Sequence, residues 1–242
     1  MKYYDDKLFP IHIPNQNEDQ FIRKGYYRGH TDVYKPFGTD LYYYDVNSLY
    51  PFVMKEYPMP CGVPVWYGNL EDKELDKMLG FIEAYVVCPK TIKKPFLPYR
   101  NEKGTLIFPT GEFVGVYFSE ELKFAREIGY TVIPISGYLF EKKESPFTGF
   151  VTDLFSSRLD AKKSGNEALS YVYKILMNSL YGRFGINPKS TITDICDVER
   201  YKQLIRKKDF IFSDKLSDNK YIVSYHTNTE TDYWNPPKNS AV

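Results

Sequence analysis

The segment Asp45-Val46-Asn47-Ser48-Leu49-Tyr50-Pro51 sets a carboxylate just after a β-favouring aromatic run, Leu41-Tyr42-Tyr43-Tyr44. Pro51 suits the first turn of a helix, with Ser48 or Asn47 as its cap. The backbone N–H groups of Asn47, Ser48, Leu49 and Tyr50 then point off a helix N-terminus, where anions bind. A carboxylate beside such amides suits a Mg²⁺-bound triphosphate, with oxygen ligands for the hard cation and amides for the phosphates. The same D-x-x-S pattern also describes an aspartate that merely caps a helix. On its own the segment does not decide between the two.

A second group lies on the helix expected over Asn166–Tyr181. At 100° per residue, Ala168, Leu169, Val172, Ile175, Leu176 and Leu180 share one side, and Lys174, Asn178 and Tyr181 form a stripe on the other. An ordinary amphipathic helix with a polar outer face has this pattern. A point cation, an amide fork and a planar ring in line also suit a phosphate, a base edge and a base or sugar plane. On the preceding helix Arg158 and Lys162, at i and i+4, extend a positive wall toward the same phosphates.

The elements that must hold these residues follow from pattern. Residues 1–30 are polar and turn-rich and read as an approach segment. Residues 61–138 read as short strands broken by Gly and Pro, with one helix at Ser119–Ile128. Helices over Pro146–Lys163 and Asn166–Tyr181 are joined through Ser164-Gly165, and strand-like segments such as Tyr221–Tyr225 return beyond Gly182. The mixture is α+β.

Composition narrows the classes further. The 242 residues carry a net charge of +1, so nucleic-acid contact must come from a local patch. Hydrophobic residues make up 43%, enough for a packed core, and the 23 tyrosines are in excess, a residue that stacks on bases as well as filling cores. Cys61, Cys88 and Cys196 are widely spaced, which argues against a disulfide scaffold or zinc site and for buried thiols in a reducing compartment. Apolar runs such as Ala84–Cys88 are too short for a bilayer, and the start lacks a signal core, so no membrane is expected and the protein reads as soluble and intracellular.

Taken together, the two chemical segments resemble a known family. Asp45–Pro51 is similar to motif A, D-x-x-S-L-Y-P, of the family B DNA polymerases. Lys174-Ile175-Leu176-Met177-Asn178-Ser179-Leu180-Tyr181-Gly182 matches motif B, K-x-x-x-N-S-x-Y-G, at every defined position and in the family's order. Within the family the chain resembles the protein-primed branch of linear phages and linear mitochondrial plasmids. Tyr27-Arg28-Gly29-His30 resembles that branch's DNA-contacting Y-x-G-G/A element, although His30 replaces the small last residue.

The resemblance implies a partial polymerase palm with a terminal-protein-binding insertion and two-helix fingers. Residues 1–24 are then a remnant of the link from an exonuclease module. Residues 25–97 belong to the palm with motif A, 98–138 to the insertion that grips the priming protein, 139–185 to the fingers with motif B, and 186–242 to a return into the palm. It further implies that Asp45 and the Val46 carbonyl ligate Mg²⁺, two ions in the complete enzyme. Ser48 and Leu49 hold the triphosphate through their backbone, and Tyr50 lies under the deoxyribose and excludes a 2′-hydroxyl. Lys174, helped by Arg158 or Lys162, neutralises the β and γ phosphates, while Asn178 and Tyr181 line the nascent base-pair pocket. Tyr27, Arg28, Gly29, Gly182 and Arg183 contact DNA. The implied partners are a DNA template-primer, a dNTP and a terminal protein, and the implied location is the mitochondrion.

The family's motif C, Y-x-D-T-D-S, has only one local counterpart, Thr229-Glu230-Thr231-Asp232-Tyr233, which lacks the first Asp, the preceding Tyr and the closing Ser. It reads as a loop that merely resembles the motif, and the chain as a polymerase fragment. The alternative is a non-catalytic nucleotide- or nucleic-acid-binding remnant. A metal-dependent nuclease would need a cluster of carboxylates, and only Asp45 is well placed.

Overall fold

A computed structural model describes residues 12–27, 29–143, 145–184, 191–207 and 209–226. Its centre is a four-stranded antiparallel sheet of order β1-β6-β2-β5, built from β1 (Met59–Tyr67), β2 (Gly80–Cys88), β5 (Gly111–Phe118) and β6 (Thr131–Lys143). β2 pairs along its whole length with both β5 and β6, and Ile82, Ala84 and Val86, alternating along one face, are wholly buried. Leu70, Leu97, Tyr117, Leu122 and Tyr130 complete that core, with Leu122 supplied by helix α3 (Ser119–Glu127). Residues 98–138 therefore share a sheet and a core with residues 59–97. The short hairpin of β3 (Tyr99–Arg100) and β4 (Leu106–Ile107) stands beside them.

The approach segment holds a helix that its polarity concealed, α1 (Gln16–Lys24). Its signal is Asn15-x-x-Glu18, a capping box. The Asn15 side chain accepts from the N–H groups of Asn17 and Glu18 at 2.9 and 3.0 Å, and Glu18 accepts from the Asn15 N–H at 2.8 Å. Ile22 of α1 packs with Phe81 and Val116, which docks the helix on the sheet.

Helix α4 (Thr148–Lys163) and helix α5 (Glu167–Phe184) form an antiparallel pair, with Gly165 at φ +75° in the turn between them. The shorter helix α2 (Leu49–Glu56) packs on α4 through Met54, Met59, Phe147 and Val151, with Leu180 of α5 at the edge. Its C-terminal carbonyls are tied to the start of α4. The Ser145 hydroxyl donates to the Met54 carbonyl, and the Thr148 hydroxyl to that of Lys55 at 3.2 Å. Strands β7 (Thr191–Cys196), β8 (Phe210–Ser217) and β9 (Lys220–His226) form a separate sheet of order β7-β9-β8, covered by α6 (Val198–Leu204) through Leu204, Val223 and Tyr225. These strands pair only with one another among the described residues.

Two expectations are corrected here. Leu41–Tyr44 is not a strand: it pairs with no described backbone, and Tyr43 is 92% exposed. A strand is sustained by a cross-strand partner, which propensity alone does not provide. On α5, Leu169, Val172, Ile175 and Leu176 are exposed, whereas Met177 is fully buried and Ser170 nearly so. The helix rests on α4 along a face offset from its most apolar stripe.

Candidate active site

The turn at residues 45–51 and the helices α4 and α5 enclose an open cleft of about 390 Å³. Asp45, Val46, Asn47, Ser48, Leu49, Tyr50 and Pro51 form one wall, and Arg158, Lys174, Asn178 and Tyr181 the other. Packing explains the meeting. The Met54–Val151 cluster fixes α2 against α4, so the turn before α2 must face the middle of α4 and the polar stripe of α5. Lys174, Asn178 and Tyr181 all reach the cleft, and a helix is what presents an i, i+4, i+7 set to one side.

Ser48 occupies the N-cap position of α2 but does not cap it in the expected way. Its backbone is left-handed, φ 52° and ψ 51°, and its hydroxyl makes no bond to the helix amides. Instead the Ser48 hydroxyl accepts a hydrogen bond from Arg158 Nη1 at 3.1 Å. A left-handed non-glycine residue costs on the order of 1–3 kcal/mol and persists where surroundings enforce it, most often at functional sites. The Ser48 carbonyl accepts from the Phe52 N–H at 2.9 Å, which leaves the amides of Leu49 and Tyr50 at the open, positive end of α2. Pro51 has no N–H to leave unsatisfied.

The Tyr50 and Tyr181 rings meet edge to face, centroids 4.7 Å apart at 78°, across the two walls. Tyr50 stays 49% exposed. A Cβ added at Gly29 would stand 3.7 Å from the Tyr50 hydroxyl, so Gly29 borders the cleft. Sequence reasoning gave no sign of this adjacency, nor of the Arg158–Ser48 and Tyr50–Tyr181 contacts, because each joins segments far apart in the chain.

Other expected site residues stand apart. Lys162 is exposed on the last turn of α4 and does not line the cleft. Tyr27 is packed away from the cleft: its ring stacks on Tyr117 at 5.7 Å, Arg100 lies 5.5 Å over it, and burial pushes its hydroxyl pKa up. Gly182 sits in α5 with open space where a Cβ would be. Arg183 belongs to the same helix, but its side chain, like Arg28 and Thr229–Tyr233, lies outside the described residues.

For a metal, the cleft offers the Asp45 carboxylate and the Val46 carbonyl, and among the described residues no group of three or more Asp, Glu, His or Cys side chains is placed to hold a metal ion. That donor set fits one cation shared with a bound phosphate. It does not by itself fit two.

Residues 1–239 match the family described as DNA polymerase type B, organellar and viral. The chain belongs to that family. Similar proteins include a probable DNA polymerase of Podospora anserina, 38% identical over 93% of this chain and 18% of its own length. One from Neurospora intermedia is 38% identical over 88% and 23%. The DNA polymerase of Bacillus phage Nf is 30% identical over 77% and 34%. The chain thus spans roughly a fifth to a third of these relatives. The fold resembles phi29 DNA polymerase complexed with primer-template DNA and incoming nucleotide substrates, with a TM-score of 0.61 at 21% identity, over 77% of this chain and 34% of that one.

Proposed function

We propose that this type B polymerase chain carries the nucleotide-binding part of a DNA-directed DNA polymerase active site, in an enzyme that replicates a linear element by protein priming. The observation that carries the reading is the convergence of the Asp45–Tyr50 turn with Arg158, Lys174, Asn178 and Tyr181 on one cleft. The solved relative whose fold it shares is complexed with primer-template DNA and incoming nucleotides.

The chemistry proposed is attack of a primer hydroxyl on the α-phosphate of a dNTP, with pyrophosphate leaving. The Leu49 amide and the Ser48 backbone receive the triphosphate at the positive end of α2. Lys174 and Arg158 neutralise the β and γ phosphates, and Arg158 is already held at Ser48, beside where they would lie. Tyr50 lies beneath the sugar. Asn178 and Tyr181 shape the pocket for the new base pair, with Gly182 beyond them for the template. Mg²⁺ bound by Asp45 and the Val46 carbonyl would add Lewis-acid neutralisation of the phosphate charge. Lys162, outside the cleft, attracts the nucleotide from a distance, and Gly29 borders the path of the DNA. The terminal protein is assigned to residues 98–138, and the mitochondrion is the compartment of such an element.

One observation favours the second reading, a non-catalytic nucleotide-binding remnant: Asp45 is the sole carboxylate lining the cleft among the described residues. A full-length polymerase carrying this segment separates the two. Asp45→Asn is expected to abolish primer extension while DNA binding survives. Extension near the wild-type rate would remove Asp45 from the chemistry.

A further inference from the structure

We propose that the cavity between α1 and the central sheet is a binding site for a small organic cation, an apolar ring whose amine or amidine pairs with Glu121. The space measures about 270 Å³. That is small for a ligand pocket, with room for a molecule of one or two rings and too little for a helix or a peptide. Ile22, Tyr26, Met59, Phe81 and Phe118 give it an apolar lining, and among the described residues Glu121 of α3 is the only carboxylate on its wall. Tyr26 is also exposed, so a ligand can reach the interior from solvent.

The charge of the occupant follows from what Glu121 lacks. Among the described residues its one hydrogen bond comes from the Phe118 N–H, at 3.3 Å to Oε2. No lysine or arginine among them pairs with it, and burial raises its pKa above the ordinary carboxyl value. The groups that couple to it, the Tyr27 and Tyr117 hydroxyls, carry no positive charge. A carboxylate in apolar surroundings without a counter-charge is costly, so a cation that enters removes an existing penalty. Arg23 also lines the cavity, but its Nε donates to both Asp19 oxygens at 2.9 Å, which balances its charge within α1. An anion would have to compete with Asp19 and face Glu121. A planar amidinium instead offers a carboxylate two parallel N–H donors, and the ring behind it fills the apolar lining. Glu121 lines no part of the nucleotide cleft, so the site stands independently of the polymerase reading.

The test titrates benzamidine, benzamide and benzoate, which share a shape and are cationic, neutral and anionic, into the isotope-labelled 242-residue chain. Backbone amide shifts report both affinity and place. Benzamidine is expected to move the Gly25 and Phe118 amides saturably and to bind roughly tenfold or more tighter than benzamide, with benzoate weakest. Glu121→Gln keeps an acceptor for the Phe118 N–H and should erase the preference for benzamidine while benzamide still binds. Glu120→Gln, at the neighbouring exposed carboxylate paired with Lys123, should leave the whole series unchanged. Benzamidine that fails to saturate, or that shifts only amides away from the cavity, would overturn the site. So would equal affinities for benzamidine and benzamide, or a preference that survives Glu121→Gln. Benzoate as the tightest ligand would overturn it too, by making Arg23 the group that binds.

Discussion

The four-stranded sheet and the segments that build the cleft draw on the same apolar and aromatic residues and place them in opposite surroundings. In the sheet, Ile82, Ala84, Val86 and Tyr117 are fully buried, and the Tyr117 hydroxyl finds the Pro98 carbonyl at 2.7 Å. In the segments that build the cleft, Tyr42, Tyr43 and Tyr44 just before Asp45 project almost bare, and Leu169, Val172, Ile175 and Leu176 lie open on the face of α5 away from its Lys174–Asn178–Tyr181 stripe. The sheet is satisfied by its own sequence. The cleft-building segments leave ordinary core residues exposed, a conflict between local pattern and environment of the kind proteins concentrate near functional surfaces. Stability and function should therefore respond to different substitutions.

The largest effect is expected in the sheet. Ile82→Ala deletes buried volume from the central strand and should cost about 2–5 kcal/mol of unfolding free energy, read by urea denaturation. Its magnesium–dNTP affinity, measured while folded, should stay close to wild type. A variant of unchanged stability would mean that the sheet is not the stabilising core.

Lys174→Ala should do the converse. Losing a charge-assisted phosphate contact costs on the order of 1.5–3 kcal/mol. The apparent KM for dNTP in a full-length polymerase should rise roughly tenfold to a hundredfold, with the unfolding midpoint unmoved. Unchanged kinetics would reduce the Lys174–Asn178–Tyr181 stripe to a solvated helix face.

Tyr50 sharpens the contrast on one residue. At 49% exposure its ring is not a core aromatic, so Tyr50→Ala should cost little stability. If the ring lies under the incoming sugar, the smaller side chain admits a 2′-hydroxyl, and the rNTP/dNTP ratio of kcat/KM should rise by about tenfold or more, on the order of 1.4 kcal/mol. Tyr50→Phe should keep discrimination, because bulk rather than the hydroxyl excludes. A folded Ala variant with the wild-type ratio would leave the motif A assignment resting on Asp45 alone.

What the sequence made legible was local. The helices over α3, α4 and α5 stand within a few residues of their expected bounds, because apolar spacing, Gly165 and the motif residues all act within one or two turns. The polar stripe of α5 was readable for the same reason. The α1 helix was written in Asn15 and Glu18 and went unread because its polar surface masked the capping box. Contacts between distant segments were not legible. The Ser48 hydroxyl could have capped its own helix, and only the packing of α2 on α4 brings Arg158 close enough to take it. Likewise, the aromatic run at 41–44 has the composition of a strand, but composition does not name a partner.

The smallest effect concerns Glu121 of α3, on the sheet side. Its carboxyl helps line an apolar cavity of about 270 Å³ with Ile22, Tyr26, Tyr27, Phe81 and Phe118, between α1 and the sheet. Burial raises its pKa above the ordinary carboxyl value, only partly opposed by the Phe118 N–H donated to it at 3.3 Å. The folded chain thus keeps the Glu121 proton to higher pH than the unfolded chain does. Between the ordinary carboxyl pKa and the raised one the unfolded state ionises first, so stability falls as pH climbs through that window. Glu121→Gln keeps an oxygen to accept the Phe118 N–H and has no proton to lose. Thermal unfolding of the variant and wild type should nearly coincide near about pH 4, below the window. At about pH 7 the variant should melt higher, by roughly 2–4 °C for each kcal/mol recovered. Nucleotide affinity in the cleft should not change, since Glu121 is not among the cleft-lining residues. A variant that melts lower at neutral pH would mean that the Glu121 negative charge stabilises the fold, the reverse of the sign that burial gives it.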